Sequence, residues 1–160
     1  MKNVLRHITP DFHCIEVPFR VIDKTYSEKF SEEYLWCEPL NEQPNCAKVV
    51  SIPYTLYGIN PNDKITYKQL NGRIVFGSLV EDGGTYTYRI AIADSEDHKK
   101  HVENKKKVIS LLEKIGVDYD EMNVLIIAVS VKNRQAAINL ENALIELQLQ
   151  NFILGYDTSR

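Results

Sequence analysis

No apolar run in this sequence approaches the length that spans a bilayer, and the opening residues Met1-Lys2-Asn3-Val4-Leu5-Arg6-His7 hold no hydrophobic core of signal-peptide length. Those two absences set the expectation of a cytoplasmic protein with no membrane partner. Cysteine is scarce. Cys14, Cys37 and Cys46 are an odd set with no C-x-x-C pair, which argues against a disulfide framework and for reduced thiols. Excess positive charge is missing too: 19 Lys and Arg face 22 Asp and Glu, a formal net charge of -3. The electrostatic footprint of a nucleic-acid binder is therefore lacking, and a basic partner suits the chain better. Glycine is sparse, and Gly83-Gly84-Thr85 opens a strand-like run instead of a helix, so no phosphate loop is formed. What is present is an ordinary soluble composition, 44% apolar and 26% charged, which is enough to bury a core and argues against disorder. The 160 residues suit one compact domain or two small ones.

The first half reads as short strands separated by turns. Residues 13–22 alternate Ile15, Val17, Phe19 and Val21 on one face, with Pro18 marking an edge or a bulge. Residues 33–38 form a second strand candidate, with a short helix as competitor, and residues 47–52 and 64–68 look extended. Asn71-Gly72 is the strongest hairpin signal, because both residues tolerate positive φ. From Tyr86 the pattern changes to β-α-β-β-α-β. Its first helix carries Val102, Ile109, Leu112 and Ile115, with Asp94 or Ser95 as N-cap and Gly116 as terminator. Its second carries Ala137, Leu140, Leu144 and Leu147, capped by Asn133. The expected fold is α+β: a small antiparallel β-barrel-like half over residues 1–84, then a ferredoxin-like βαββαβ half over residues 85–160, closely packed and readable as one domain.

Four boxes in a fixed order add a family likeness. Residues 33–38 (Glu-Tyr-Leu-Trp-Cys-Glu), 51–54 (Ser-Ile-Pro-Tyr), 58–65 (Gly-Ile-Asn-Pro-Asn-Asp-Lys-Ile) and 83–90 (Gly-Gly-Thr-Tyr-Thr-Tyr-Arg-Ile) resemble a bacterial family known as domain of unknown function 4265. That family has a Glu-x-x-Trp-like box, an Asn-Ile-Pro-Phe-like box, a Gly-Asp turn before a strand and a Gly-x-x-Thr-x-Arg-like strand. The likeness extends over about residues 13–157. Ser51 stands where the pattern favours Asn, Tyr54 where it favours Phe, and Asn62 takes the place before Asp63 where Gly is usual. The family brings no established catalytic residue, so the resemblance implies none here. Some bacterial genes of this size and type look like immunity proteins, which bind and block a toxin.

Chemistry-bearing residues are dispersed. Glu32, Glu33 and Glu38 surround Trp36, and a carboxylate raised in pKa by burial could do acid-base work, but a solvated strand edge with Trp36 filling the core explains the same pattern. His98 and His101 lie three apart in a polar first turn, which reads as solvent-exposed; no ligand spacing supports a metal, and no cofactor is expected. Cys14 and Cys37 read as buried small hydrophobes. Lys99, Lys100, Lys105, Lys106 and Lys107 make a basic helix surface interspersed with acids. Tyrosine is the best hint of binding, with Tyr54, Tyr57, Tyr67, Tyr86 and Tyr88 read as a cluster in the barrel-like half.

These features point to a non-enzymatic protein-binding inhibitor: an immunity protein, or antitoxin, that occludes the active site of a cognate toxin domain such as a nuclease. The expected partner contacts are Glu32, Glu33, Glu42, Tyr54, Tyr57, Asp63, Glu81 and Asp82. Two alternatives stay open: a small-ligand or regulatory module near Trp36 and Arg89, and RNA binding through the lysine helix.

Overall fold

The computed structural model describes residues 4–7, 13–21 and 32–159. Among them, ten strands and two helices follow in the order β1 (Val4–Arg6), β2 (Ile15–Arg20), β3 (Glu32–Pro39), β4 (Cys46–Val49), β5 (Lys64–Leu70), β6 (Arg73–Glu81), β7 (Tyr86–Ile92), α1 (His98–Ile115), β8 (Asp118–Glu121), β9 (Ile126–Val131), α2 (Arg134–Leu149) and β10 (Ile153–Thr158). The architecture is mixed α+β with two sheets, antiparallel apart from the β1–β3 pair. The chain divides into two compact units, Met1–Thr85 with Ser159 and Tyr86–Thr158 with Arg160.

In the first unit β3 organises the sheet. One of its edges takes β2 along Glu32–Cys37; the other takes β1 at Glu32–Tyr34 and β4 at Cys37–Pro39. The ladder continues through β5 to β6. Asn71 (φ 52°) and Gly72 (φ 76°) close the β5–β6 hairpin in the left-handed geometry the sequence predicts. The sheet curls until the rings of Phe19 on β2 and Phe76 on β6 lie 4.6 Å apart, but it does not close into a barrel. Its core is Val17, Phe19, Leu35, Cys37, Ala47, Val49, Leu56, Ile59 and Ile65. β4 stops at Val49, short of the expected residue 52, because the Val50 and Ser51 amides both donate to the Trp36 carbonyl at 2.9 and 3.3 Å.

In the second unit the sheet order is β10-β7-β9-β8. Alternation turns Tyr88, Ile90 and Ile92 of β7 and Ile127, Val129 and Val131 of β9 into one core with Val108, Leu112, Ala137, Leu140, Leu144 and Leu147 of the helices. Asn133 caps α2, its Oδ1 accepting from the Ala136 amide at 2.9 Å, and Gly116 (φ 77°) ends α1 in the left-handed conformation. The α1 cap is Asp97, not Asp94 or Ser95: its Oδ1 accepts from the Lys99 amide at 2.9 Å, while Asp94 accepts from Ser95 in the turn before. His101 corrects a second expectation. It is buried, at 7% exposure, on the helix face shared by Asn104, Val108 and Leu112, and its Nε2 donates to the Val124 carbonyl at 2.9 Å.

Candidate functional site

Strand parity decides the fate of the first candidate cluster. Leu35 and Cys37 point into the core, so Glu33, two residues earlier, points there as well, and Trp36 falls on the opposite, half-buried face. Glu33 is fully buried. A carboxylate in that position is costly unless its lone pairs are used. Here they are: His7 Nε2 donates to Oε1 at 2.7 Å, the Tyr54 amide donates to Oε1 at 2.7 Å, and Oε2 accepts from the Thr55 amide at 2.9 Å and the Thr55 hydroxyl at 2.7 Å. The His7 ring stacks on Tyr54 with centroids 4.0 Å apart, and Trp36 Nε1 donates to the His7 carbonyl at 3.0 Å. Burial alone pushes the Glu33 pKa up; the His7 hydrogen bond and charge, then the Tyr54 amide and Thr55, outweigh it and hold the carboxyl below the usual range. Four donors occupy about the four lone-pair sites a carboxylate offers. The arrangement therefore clamps the segment after β4 to β3 and leaves Glu33 no acceptor with which to take a substrate proton.

A second clamp holds the far end of the same segment. Asp63, 1% exposed, accepts from the Asn60 amide at 2.8 Å through Oδ2 and from the Gly83 amide at 2.7 Å through Oδ1. The Thr85 hydroxyl donates to the Pro61 carbonyl. Position 83 must be glycine, because a Cβ there would lie 2.3 Å from the Asn62 carbonyl carbon. The Ser159 hydroxyl donates to Asn60 Oδ1 at 2.7 Å.

The exposed chemistry of this unit is a row of charges across four strands. The registers set Glu38 beside Lys48, Lys48 beside Lys64, and Lys64 beside Glu81. Two facing lysines repel. Each is neutralised from the outside, Lys48 by Glu38 at 2.8 Å and Lys64 by Glu81 at 2.7 Å. Beside this row lies a groove of about 440 Å³ lined by residues 38–43, Lys48 and Lys64. All four ladder side chains are more than a third exposed, so the pairs are worth about 0–1 kcal/mol each and exchange readily for charges brought by another molecule.

The eight expected contact residues separate into two groups. Glu33, Tyr54 and Asp63 are buried inside the first unit, and this corrects their assignment as a presenting surface: the clamps consume them. Glu42, Tyr57, Glu81 and Asp82 are exposed and Glu32 is half-buried. Of these, the groove brings together Glu42 and, through Lys64, Glu81. Trp36 is tied to His7 within the first unit. Arg89 is fully buried in the second, where it reaches Asp157 at 3.4 Å. On α1, Lys105 pairs with Glu121 and Lys107 lies 5.8 Å over the Phe152 ring, which commits two of the five lysines locally. Among the described residues, no three His, Cys, Asp or Glu side chains gather to hold a metal ion, and no helix is long and apolar enough to cross a membrane. His7, a clamp member 26 residues from Glu33, has no spacing that could have revealed it. His101 has one, since it lies in helical phase with Asn104, Val108 and Leu112.

The chain is similar over 90% of its length to a hypothetical protein of known crystal structure from Neisseria gonorrhoeae, of which 91% is covered, with a TM-score of 0.65 and 14% sequence identity; this likeness is one of fold. No curated protein matches it. The model of the family described as a domain of unknown function (DUF4265) matches residues 33–154, a span that runs from the clamped Glu33 to Leu154 on β10, and the chain belongs to that family.

Proposed function

We propose that this chain is a non-enzymatic inhibitor that binds another protein, acting as an immunity protein in the cytoplasm against a cognate toxin domain. The observation that carries this reading is the charged groove of the first unit. Its acids are Glu38 near the end of β3 and Glu42 in the β3–β4 turn, with Glu81 at the end of β6 joined to it through Lys64, and the sheet that carries them is held by two buried hydrogen-bond clamps, which lowers the entropic cost of presenting them. A toxin that cleaves nucleic acid carries basic side chains to hold phosphates. Carboxylates in the groove stand in for those phosphates, and the weak internal lysine pairs release Glu38 and Glu81 to the incoming cations. Tyr57 and Asp82 extend the contact as exposed polar-tipped or acidic side chains. In this reading the first unit is barrel-like, supported by the Phe19–Phe76 contact across its curl. The second is ferredoxin-like, supported by its β-α-β-β-α-β order and the sheet order β10-β7-β9-β8.

The test is co-expression with the product of the adjacent gene. Co-purification and rescue of growth are expected, and Glu42→Lys combined with Glu81→Lys should abolish both while the chain remains folded. A neighbour that neither binds nor is neutralised, or binding indifferent to the two reversals, refutes the proposal.

A further inference from the structure

We infer that Lys48 and Lys64, side by side in the groove of the first unit, seat an acidic side chain of the protein bound there, so that the partner presents a carboxylate flanked by two bases; this rests on the function proposed above and names the surface that fits it. Strand register fixes the charge order of the row. Glu38, Lys48, Lys64 and Glu81 are successive cross-strand partners on β3, β4, β5 and β6, and cross-strand partners share a face. Neighbouring strands lie about 4.8 Å apart, so the two lysine stems rise about 5 Å from each other and the two glutamates start about 14 Å apart. The bases are inside and the acids outside. Side-chain exposure is 38% at Lys48 and 37% at Lys64, against 52% at Glu38 and 60% at Glu81. The glutamates are therefore the more open to an arriving surface, and the lysines form the floor between them.

That order selects the occupant. Bases of a partner that draw Glu38 and Glu81 away leave two ammoniums facing each other, and like charges directly opposite are destabilising. A purely basic partner adds to that repulsion, and a purely acidic one meets Glu38, Glu42 and Glu81. An acid between two bases satisfies every member of the row. The donors that would receive it are in place. An ammonium carries three N–H donors, and Lys48 and Lys64 each use one on a glutamate, at 2.8 and 2.7 Å, which leaves two on each. Asn41 and Gln43, exposed on the β3–β4 turn that walls the groove, bring further amide donors. Phosphodiester cleavage uses the complementary layout: carboxylates that hold a metal ion or take a proton stand among bases that hold phosphates. The lysine pair thus directs the groove to the catalytic carboxylates of a nuclease and not to its phosphate-binding bases alone.

The test is a calorimetric titration of the full chain with the product of the adjacent gene. Lys48→Gln combined with Lys64→Gln keeps most of each aliphatic stem and removes both charges. It should weaken binding about tenfold or more. A partner that brings only bases gives the opposite sign, because the glutamates lose their internal competitors and bind it more tightly. The substituted side chains are more than a third exposed, so the fold is retained, and far-UV circular dichroism will read that directly. Carboxylate-to-amide changes across the partner should then find one acid whose loss weakens binding to the native groove about tenfold and to the double variant little, the signature of direct coupling. Binding that is unchanged or tightened in the double variant, or the lack of any coupled acid, overturns the inference while the groove's role stands, since Glu42→Lys with Glu81→Lys tests that role separately. A neighbour that does not bind the native chain overturns both.

Discussion

Glutamine at position 33 would keep the shape of the buried side chain and remove its charge. Glu33 accepts four hydrogen bonds, two of them from the backbone amides of the buried Tyr54 and Thr55. A carboxamide has one acceptor oxygen, so its NH2 would confront donors on one side, either His7 and the Tyr54 amide or the Thr55 pair. Hydrogen bonds to a charged group are worth about 1.5–3 kcal/mol each, but these four share one acceptor group and do not add. Breaking a buried ionic pair from one side costs about 3–5 kcal/mol, and the retained volume places Glu33→Gln near the lower end, about 3 kcal/mol. The chain has one tryptophan, and Trp36 is bonded to His7 of the clamp. Its fluorescence therefore follows the first unit, while far-UV circular dichroism follows both. With a urea m-value of about 1–3 kcal/mol/M, the Trp36 midpoint should fall by about 1–3 M. A midpoint unmoved within about 0.3 M would refute the clamp as a source of stability, whatever the circular dichroism does.

Acid should act through the same residue. The Glu33 carboxyl is held below its ordinary value of 4.5, so its contribution is complete above that value and is lost as pH falls through the lowered folded one; the Trp36 midpoint should drop on acidification below 4.5, less steeply in Glu33→Gln. Gly83→Ala forces a Cβ against the Asn62 backbone at 2.3 Å and should cost about 1–3 kcal/mol by the same probe, whereas a neutral result would mean the segment is not pinned there. Burial first, and Cys14 second, push the Cys37 thiol up to about 12. A thiol reagent followed by mass spectrometry should therefore label the half-buried Cys14 and Cys46 in the native protein and Cys37 only after unfolding, and native labelling of Cys37 would contradict its place in the core.

Much of the fold was legible because local rules and tertiary packing agree. The Asn71-Gly72 hairpin, the Gly116 stop, the Asn133 cap and the core stripe of α2 each depend on a few adjacent residues, and each is found where the sequence sets it. The misreadings share a cause as well. Placing Trp36 in the core weighed hydrophobicity above parity, although Leu35 and Cys37 fixed the inward face of β3 and put Glu33 on it. Reading His101 as solvated weighed residue type above helical phase. What no local rule could supply was the set of partners that makes a buried carboxylate tolerable. His7, Tyr54 and Thr55 come from 26, 21 and 22 residues away, and only the completed sheet brings them together. The charge row across β3–β6 was hidden for the same reason, since strand register is a tertiary property.

The boxes that carry the family resemblance converge on the clamped segment, and their departures from the family pattern keep its physics. Ser51 Oγ accepts from the Trp36 amide at 2.9 Å, a task an asparagine oxygen could also perform. Tyr54 contributes an amide and a stacked ring to the clamp, and phenylalanine has both. Asn62 holds φ at 69°, a conformation for which glycine is the usual residue and asparagine the next best. Each substitution preserves a hydrogen bond, a ring face or a backbone angle inside the fold, so the boxes describe how the first unit is held together. The clamps leave Glu38, Glu42, Lys48 and Lys64 of the groove and the adjoining Glu81 exposed or half-exposed; Glu42, Lys48 and Glu81 lie outside all four boxes, while Glu38 and Lys64 each stand at the margin of one. Under the proposed function, members of one family could share the clamp and differ in partner, because the buried residues that fix the scaffold are not the exposed charges offered for contact.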